Sequence, residues 1–477
     1  MNEITVIWIA LPLFLGFSGY LLPKLDRYLA LGVALVSLVY ALLCFSAPEP
    51  LTLELVDSFG VTLMVDTLSA FFILTNALVT AAVVIYSWRT GKSAFFYTQV
   101  ILLHGSVNSA FICADFISLY VALEVISIAT FLLVAYPRSD RSIWVGLRYL
   151  FVSNTAMLFY LLGAVLVYQV NNSFAFEGLG NAPGEAVALI FLGLLTKGGI
   201  FISGLWLPLT HSESETPVSA LLSGVVIKAG IFPLARFALM LESIDPIVRI
   251  FGVGTALLGV GYAVFEKDSK RMLAFHTVSQ LGFVLAAPEV GGFYALTHGL
   301  VKSSLFLIAG NLPSRNLKEL RHQMIHTPVW IALVIASFSI SGFPLLSGFG
   351  AKVLTMKNLL PWQVIGMNLA AFGTAISFAK FIFLPHGDTK QKPLSIGFWM
   401  AMIILVGGLF GANVVYYEAY SLANIVKPLL TIALGWFAYF LIFRQAVVKL
   451  PRMMEQFDHL IGVMSLVLVT LFWMVLT

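Results

Sequence analysis

Apolar stretches of about 20 residues recur along this chain from end to end, each long enough to cross a bilayer core as an α-helix. Of the 477 residues, 60% are hydrophobic and only 10% are charged, so the loops between these runs leave no room for a sizeable soluble domain. The chain reads as an all-α polytopic membrane protein with about sixteen spans. Its formal net charge of +4 is small and spread along the chain, which argues against a nucleic-acid partner. Cys44 and Cys113 lie in or at the end of apolar runs without ligand-like spacing, and plain buried thiols are expected. The first run begins at Glu3 rather than at a basic region and has no small-residue cleavage site, so it is expected to remain as a helix.

Loop charges predict the orientation. Lysines and arginines gather after odd-numbered spans: Lys24 and Arg27, Arg89 and Lys92, Arg138 and Arg141, Lys267 with Lys270 and Arg271, Arg315 with Lys318 and Arg321, Lys390 and Lys392, then Arg444, Lys449 and Arg452. Even-numbered loops carry almost none, so the odd loops are predicted to be cytoplasmic and the N-terminus outside. The loop after the seventh span departs from the pattern, with His211, Glu213 and Glu215 but no Lys or Arg. A solvated polar turn is expected there.

Inside runs that otherwise lack charge stand Glu124, Lys197, Lys228, Lys302 and Lys352. A lysine or acid at the centre of a membrane helix costs roughly 2.5–3.5 kcal/mol on insertion scales, so such groups mark ion or proton pathways. Burial weakens a lysine's hold on its proton and a nearby carboxylate strengthens it; a partner that moves can therefore toggle the lysine near neutral pH. The competing roles are a static ion pair or a snorkelling side chain, and snorkelling fails near a helix midpoint. His298 lies four residues before Lys302 on the same helical face, placed to pass a proton near neutral pH. His276 is expected either as a hydrogen-bonded buried imidazole or as a relay. Ser153, Thr196, Ser223 and Ser303 are placed to support water chains, although hydroxyls in apolar helices commonly bond their own backbone. Lys380, near the end of its span, is a candidate for the place in a second repeat that Lys228 holds in the first, with snorkelling as the default expectation.

Two segments are interrupted by small residues: Lys197-Gly198-Gly199 with Gly204 and Pro208, and Gly342-Phe343-Pro344 with Ser347-Gly348-Phe349-Gly350 before Lys352. The second lies in a run, Val329 to Leu360, too long for one straight helix. Paired interrupted helices point to an inverted-repeat transporter, since freed backbone groups are tolerated only in a hydrated or protein-lined cavity. Close helix packing through glycine is the plainer alternative.

The stretch from Lys197 to Arg236 reads KGGIFISGLWLPLTHSESETPVSALLSGVVIKAGIFPLAR. It resembles the antiporter-like membrane subunits shared by Mrp-type multisubunit Na+/H+ antiporters and respiratory complex I. LEVIS around Glu124, DSKRMLAFHTVSQLG from Asp268 to Gly282, THGLVKSSLFLIAG from Thr297 to Gly310 and SGFPLLSGFGAK from Ser341 to Lys352 extend the resemblance over most of the chain. The form around Lys228 and the terminal Lys352 look most like the Mrp D subunit. The resemblance implies about 14–16 transmembrane helices with two inverted five-helix repeats and two discontinuous helices. Residues 1–93 would be N-terminal helices, 94–242 the first half-channel, 243–385 the second, and 386–477 the C-terminal helices.

By the same resemblance, Glu124 and Lys197 form the acid–lysine pair of the first half-channel, and Lys228 links toward the centre. Lys302 is the central lysine, and Lys352 ends the second half-channel. Relatives usually follow the WLP turn with aspartate, where this chain has Leu209 and Thr210; the ion entrance is therefore not carried over. The function implied is proton translocation in a multisubunit cation/proton antiporter of a prokaryotic inner membrane or a related energy-converting membrane. The partners would be other membrane subunits, protons, Na+ or K+, and lipid. The alternative is a proton-pumping subunit of a complex I-like oxidoreductase or membrane-bound hydrogenase; coupling to inorganic-carbon uptake is a third reading. No nucleophile, metal-ligand spacing or phosphate loop is evident, so bond chemistry, a cofactor and a metal are not expected.

Overall fold

The computed structural model describes residues 2–47, 49–55, 60–388, 394–445, 448 and 450–476. Lys390, Lys392 and Lys449, named above for their loop charges, lie outside the described residues. Among the described residues, 13 helices are long and apolar enough to cross a membrane. Three further expected spans form as shorter or more polar helices, Ala94–Ala110, Ser269–Ala286 and Thr327–Ser341. The chain is an integral, polytopic, predominantly helical membrane protein. Small sheets occur only between helices: Leu51–Glu54 pairs antiparallel with Thr62–Val65, and Ile325–His326 pairs parallel with His386–Gly387.

Burial separates the helices into a dense interior and a loose rim. Thr216–Met240 and Pro288–Ala309 are enclosed along their apolar length, whereas Leu422–Phe443 and Phe457–Leu476 face mostly outward. The interior helices approach closely because glycine stands at their crossings. A Cβ on Gly299 would strike the methyl of Thr75, and one on Gly224 would strike Ser303 Oγ; small residues are what let membrane helices meet this tightly. The first helices are joined by a buried polar cluster in which His104 contacts Ser37 Oγ (2.8 Å) and Thr80 Oγ1 (3.1 Å), and Asn76 donates to Asn108 Oδ1 (2.8 Å). Both cysteines are free and buried.

Both expected interruptions are real. The first helix, Gly184–Lys197, stops at Gly198-Gly199, where Gly199 takes φ +69° and Phe201 φ +51°; a short 3-10 turn, Phe201–Gly204, leads into a separate helix, Leu207–Glu213. Trp206 Nε1 donates to the freed Thr196 carbonyl (2.8 Å), and Thr255 Oγ1 accepts from the Phe201 N–H (2.9 Å). The second break lies between Thr327–Ser341 and Ser347–Lys357, with Gly342 at φ +84° and Leu345 at φ +86°. There the Tyr420 hydroxyl accepts from the Leu345 N–H (2.8 Å). In each case a side chain from elsewhere bonds backbone that a continuous helix would have bonded itself.

The segment after the first break corrects an expectation. It is no solvated turn: His211 is fully buried within Leu207–Glu213. Glu213 pairs with Arg141 (3.3 Å) and Glu215 with Lys92 (2.6 Å), while Lys270 Nζ donates to the Ser214 carbonyl (2.8 Å). The acids of the one non-basic odd loop thus pair with a lysine and an arginine of neighbouring loops.

Candidate proton pathway

Lys197 is the last residue of Gly184–Lys197, so its side chain sits at the helix break and is only 3% exposed. Its ammonium donates to the Leu123 carbonyl (2.9 Å), to Ser153 Oγ (2.8 Å) and to Ser127 Oγ; the two hydroxyls are themselves 3.1 Å apart. Glu124 lies on the neighbouring helix Phe116–Val134 within electrostatic reach of Lys197, yet makes no ion pair with it. The carboxylate is half-buried, with Oε1 lacking a hydrogen-bond partner among the described residues. It lines a cavity of about 680 Å³ shared with Tyr120, Arg148, Asn154 and Phe457. The acid and lysine thus interact electrostatically, while the lysine's hydrogen bonds go to the serine pair and the Leu123 carbonyl rather than to the acid.

Lys228 follows a turn of π-helix, Leu222–Val226. Such a bulge leaves carbonyls without their usual donors. Lys228 Nζ takes them up, donating to Gly224 O (2.6 Å) and Ser223 O (3.2 Å), and it lies 3.4 Å from His298 Nδ1. His298 and Lys302 share the buried helix Gly291–Ala309, four residues apart. Lys302 Nζ donates to the Leu273 carbonyl (2.5 Å), which also accepts from Thr277 Oγ1 (3.1 Å); Thr277 in turn meets Ser223 Oγ at 2.8 Å. Lys228, His298, Lys302 and these hydroxyls therefore form one connected cluster at the centre of the molecule. Ser303 instead bonds the Ala220 carbonyl (3.1 Å), acting as packing glue.

Lys352 sits in Ser347–Lys357 beyond the second break, with Nζ over the Phe283 ring (5.4 Å) and no hydrogen-bond partner among the described residues. His276 is fully buried, both ring nitrogens are unbonded among the described residues, and it lies within electrostatic reach of Lys302 and of Lys352. The imidazole has no hydrogen bond among the described residues and is also within electrostatic reach of Lys380. His211, whose nitrogens are likewise unbonded among the described residues, lies within reach of Lys302, Lys270 and Lys228. Unbonded polar atoms in a buried site are costly unless water or a moving proton serves them. Lys380 does not snorkel: it is 6% exposed, and its ammonium donates to the carbonyls of Ala263 (3.1 Å), Val264 (2.7 Å) and Glu266 (3.0 Å) at the end of Asp245–Phe265. A cation there completes a helix C-terminus.

Comparison with known families bears on this arrangement directly. The family model described as NADH:quinone oxidoreductase/Mrp antiporter, transmembrane, matches residues 113–377. The chain belongs to that family. All of Glu124, Lys197, Lys228, Lys302 and Lys352 fall inside the matched region. The chain is similar to the D subunit of the Na(+)/H(+) antiporter of Alkalihalophilus pseudofirmus, at 26% identity over 85% of this chain and 91% of that protein. Its fold is shared with a chain of the archaeal membrane-bound sulfane sulfur reductase (TM-score 0.76, 20% identity, 90% of this chain and 99% of that one). It is also shared with a chain of the Mrp complex from a Dietzia species (TM-score 0.75, 19% identity, 97% of this chain and 100% of that one).

Within this Mrp/complex I fold the structure adds residues to those expected from sequence. His211 falls in the segment expected as a polar turn, and for His276 two roles stand open in the sequence. The signal that could have found both is that each is an imidazole inside an apolar segment next to a helix carrying a lysine. The serine pair around Lys197 is half-legible, since Ser153 is anticipated and Ser127 is not.

Proposed function

We infer that this chain is the proton-translocating subunit of a multisubunit cation/proton antiporter. The observation carrying the reading is the succession of buried basic groups across the interior: Lys197, then Lys228 with His298 and Lys302, then His276 and Lys352. Ionisable groups inside a membrane are costly and mark proton pathways where they follow one another, and the bonds to hydroxyls and freed carbonyls give each group a rest position from which it exchanges a proton with the next. Glu124 supplies the carboxylate that attracts the proton of Lys197 when its side chain turns inward, and releases it when turned toward its cavity. His211 would connect the central lysines to the odd-loop face beside Lys270.

The two breaks fit inverted five-helix repeats, 94–242 and 243–385, each ending its half-channel on a lysine beside an interrupted helix. The odd loops would face the cytoplasm and the N-terminus the outside. The similarity to an Na(+)/H(+) antiporter protein favours exchange of protons for Na+ within an assembly of several membrane subunits. The likeness to the sulfane sulfur reductase chain supports a second reading, a pump driven by redox chemistry in other subunits.

Proteins that co-purify in mild detergent separate the two: small membrane subunits without iron–sulfur proteins support antiport, and iron–sulfur or quinone-site subunits would sink it. At residue level, Glu124→Ala and Lys197→Ala are each expected to abolish cation-dependent proton movement in inverted vesicles while the complex still assembles. Wild-type rates in both variants would refute the relay.

A further inference from the structure

We propose that the cavity beside Lys352 binds the phosphate of an anionic phospholipid. This cavity, about 230 Å³, lies among Ser347–Lys357, Val364–Ile382 and Leu422–Ala438, and Lys352, Lys357 and Lys427 all line it. Among the described residues no carboxylate lines it, and Glu418 of the neighbouring turn stays outside its wall. Three lysines and no carboxylate on one partly apolar wall leave its positive charge unbalanced from within the chain, and an anion would balance it. Lys352 differs from the other buried lysines in the way this requires. Lys228, Lys302 and Lys380 are bonded to carbonyls, whereas Lys352 is 6% exposed and its Nζ has no hydrogen-bond partner among the described residues.

The rest of the wall is mixed, as an amphiphile requires. Val353, Met356, Val364 and Pro428 are apolar, Ser341, Asn368, Asn424 and Thr431 are polar, and the flanking Leu422–Phe443 segment is only 17% buried, so its outer face lies against acyl chains. Lys357 ends its helix and Lys427 stands in the second turn of its own. Both are near the ends of their helices on the face assigned to the outside, where a lysine reaches head-group depth and can pair with a lipid phosphate. Lys352 is one helical turn and a half deeper, about 7 Å by the helix rise. A phosphate bridging the outer lysines would hold the Lys352 ammonium protonated, and its departure would favour proton release. That consequence rests on Lys352 as the terminal group of the pathway; the binding site itself does not.

The test is native mass spectrometry on the purified complex after delipidation and back-addition of lipid. Wild type is expected to retain phosphatidylglycerol or cardiolipin in preference to phosphatidylcholine, and Lys357→Gln with Lys427→Gln to lower that occupancy at least tenfold. Lys427→Gln alone, expected to lower it several-fold, serves if the double variant does not assemble. Equal retention by wild type and variants would overturn the site. Full displacement of the lipid by millimolar inorganic phosphate would overturn the lipid as occupant in favour of a free anion. Proton movement in vesicles is read separately: lipid binding that leaves the rate unchanged overturns the control of Lys352 while the site stands.

Discussion

Lys197 and Lys380 show how one residue type serves opposite ends in lipid. Both ammonium groups are buried, but Lys380 meets carbonyls only, at a helix terminus, whereas Lys197 meets two hydroxyls that can pass a proton onward. Lys380→Met should therefore destabilise the protein by about 2 kcal/mol, the range for hydrogen bonds to a charged group. It is expected to lower the thermal unfolding midpoint in detergent while leaving proton movement in the surviving complex near wild type. A complete loss of transport with unchanged stability would move Lys380 into the pathway. Asp66 is a second static case. It caps Thr67–Ser87 and accepts both arms of Arg236 (2.8 and 2.9 Å). Burial pushes its carboxyl up, but the Arg236 guanidinium and the Ser69 bonds outweigh it and hold the group below the usual carboxylate value. Because the folded form keeps the proton off more strongly than the unfolded chain does, the pair stabilises at neutral pH. That contribution fades only as pH falls through and below about 4. Thermal melts of wild type and Asp66→Asn should thus differ at pH 7 and converge toward pH 3.

At the scale of elements, the breaks place the site. Gly184–Lys197 ends where Gly199 takes a left-handed φ, and that end sets the Lys197 ammonium among Leu123, Ser127 and Ser153. Gly342 does the same for the second break, and a Cβ there would meet Lys352 Cδ at 2.9 Å. Gly342→Ala is expected to cost about 1–2 kcal/mol of backbone strain and to slow proton movement by displacing Lys352. Gly91→Ala is the control, since Gly91 also has a left-handed φ of +74° with nothing within 4 Å. It should lower stability alone, and equal transport losses in both variants would refute the link between the break and Lys352. Glycine and proline make both breaks visible in the sequence. The π-turn before Lys228 is not visible, because Gly224, Val225 and Val226 weaken an α-helix in general without marking where an i→i+5 turn replaces it.

For the whole molecule, loop charge and packing give one consistent sidedness. The loop after the seventh span, which lacks Lys and Arg, is tied through Glu213 and Glu215 to Arg141 and Lys92 of other odd loops, so these loops share a face. In a background with Cys44 and Cys113 replaced, a cysteine at Lys318 should be labelled by an impermeant maleimide only from the cytoplasmic side. A cysteine at Glu49, in an even loop, should be labelled only from outside. The reverse pattern would invert the assigned orientation, and labelling of both from one side would break the span count. The sequence by itself determined that the chain crosses the membrane repeatedly, where its two glycine breaks fall, and that Glu124, Lys197, Lys228, Lys302 and Lys352 stand inside apolar spans; hydropathy, glycine and the cost of a buried charge are local properties. Only the tertiary structure decided what each charge does. Lys197 rests on serines rather than on Glu124, Lys380 completes a helix end, Lys352 faces a cavity, and His211 and His276 stand unbonded among the described residues beside the lysines. Those roles depend on side chains brought together from helices far apart in sequence, and no local pattern encodes such distances.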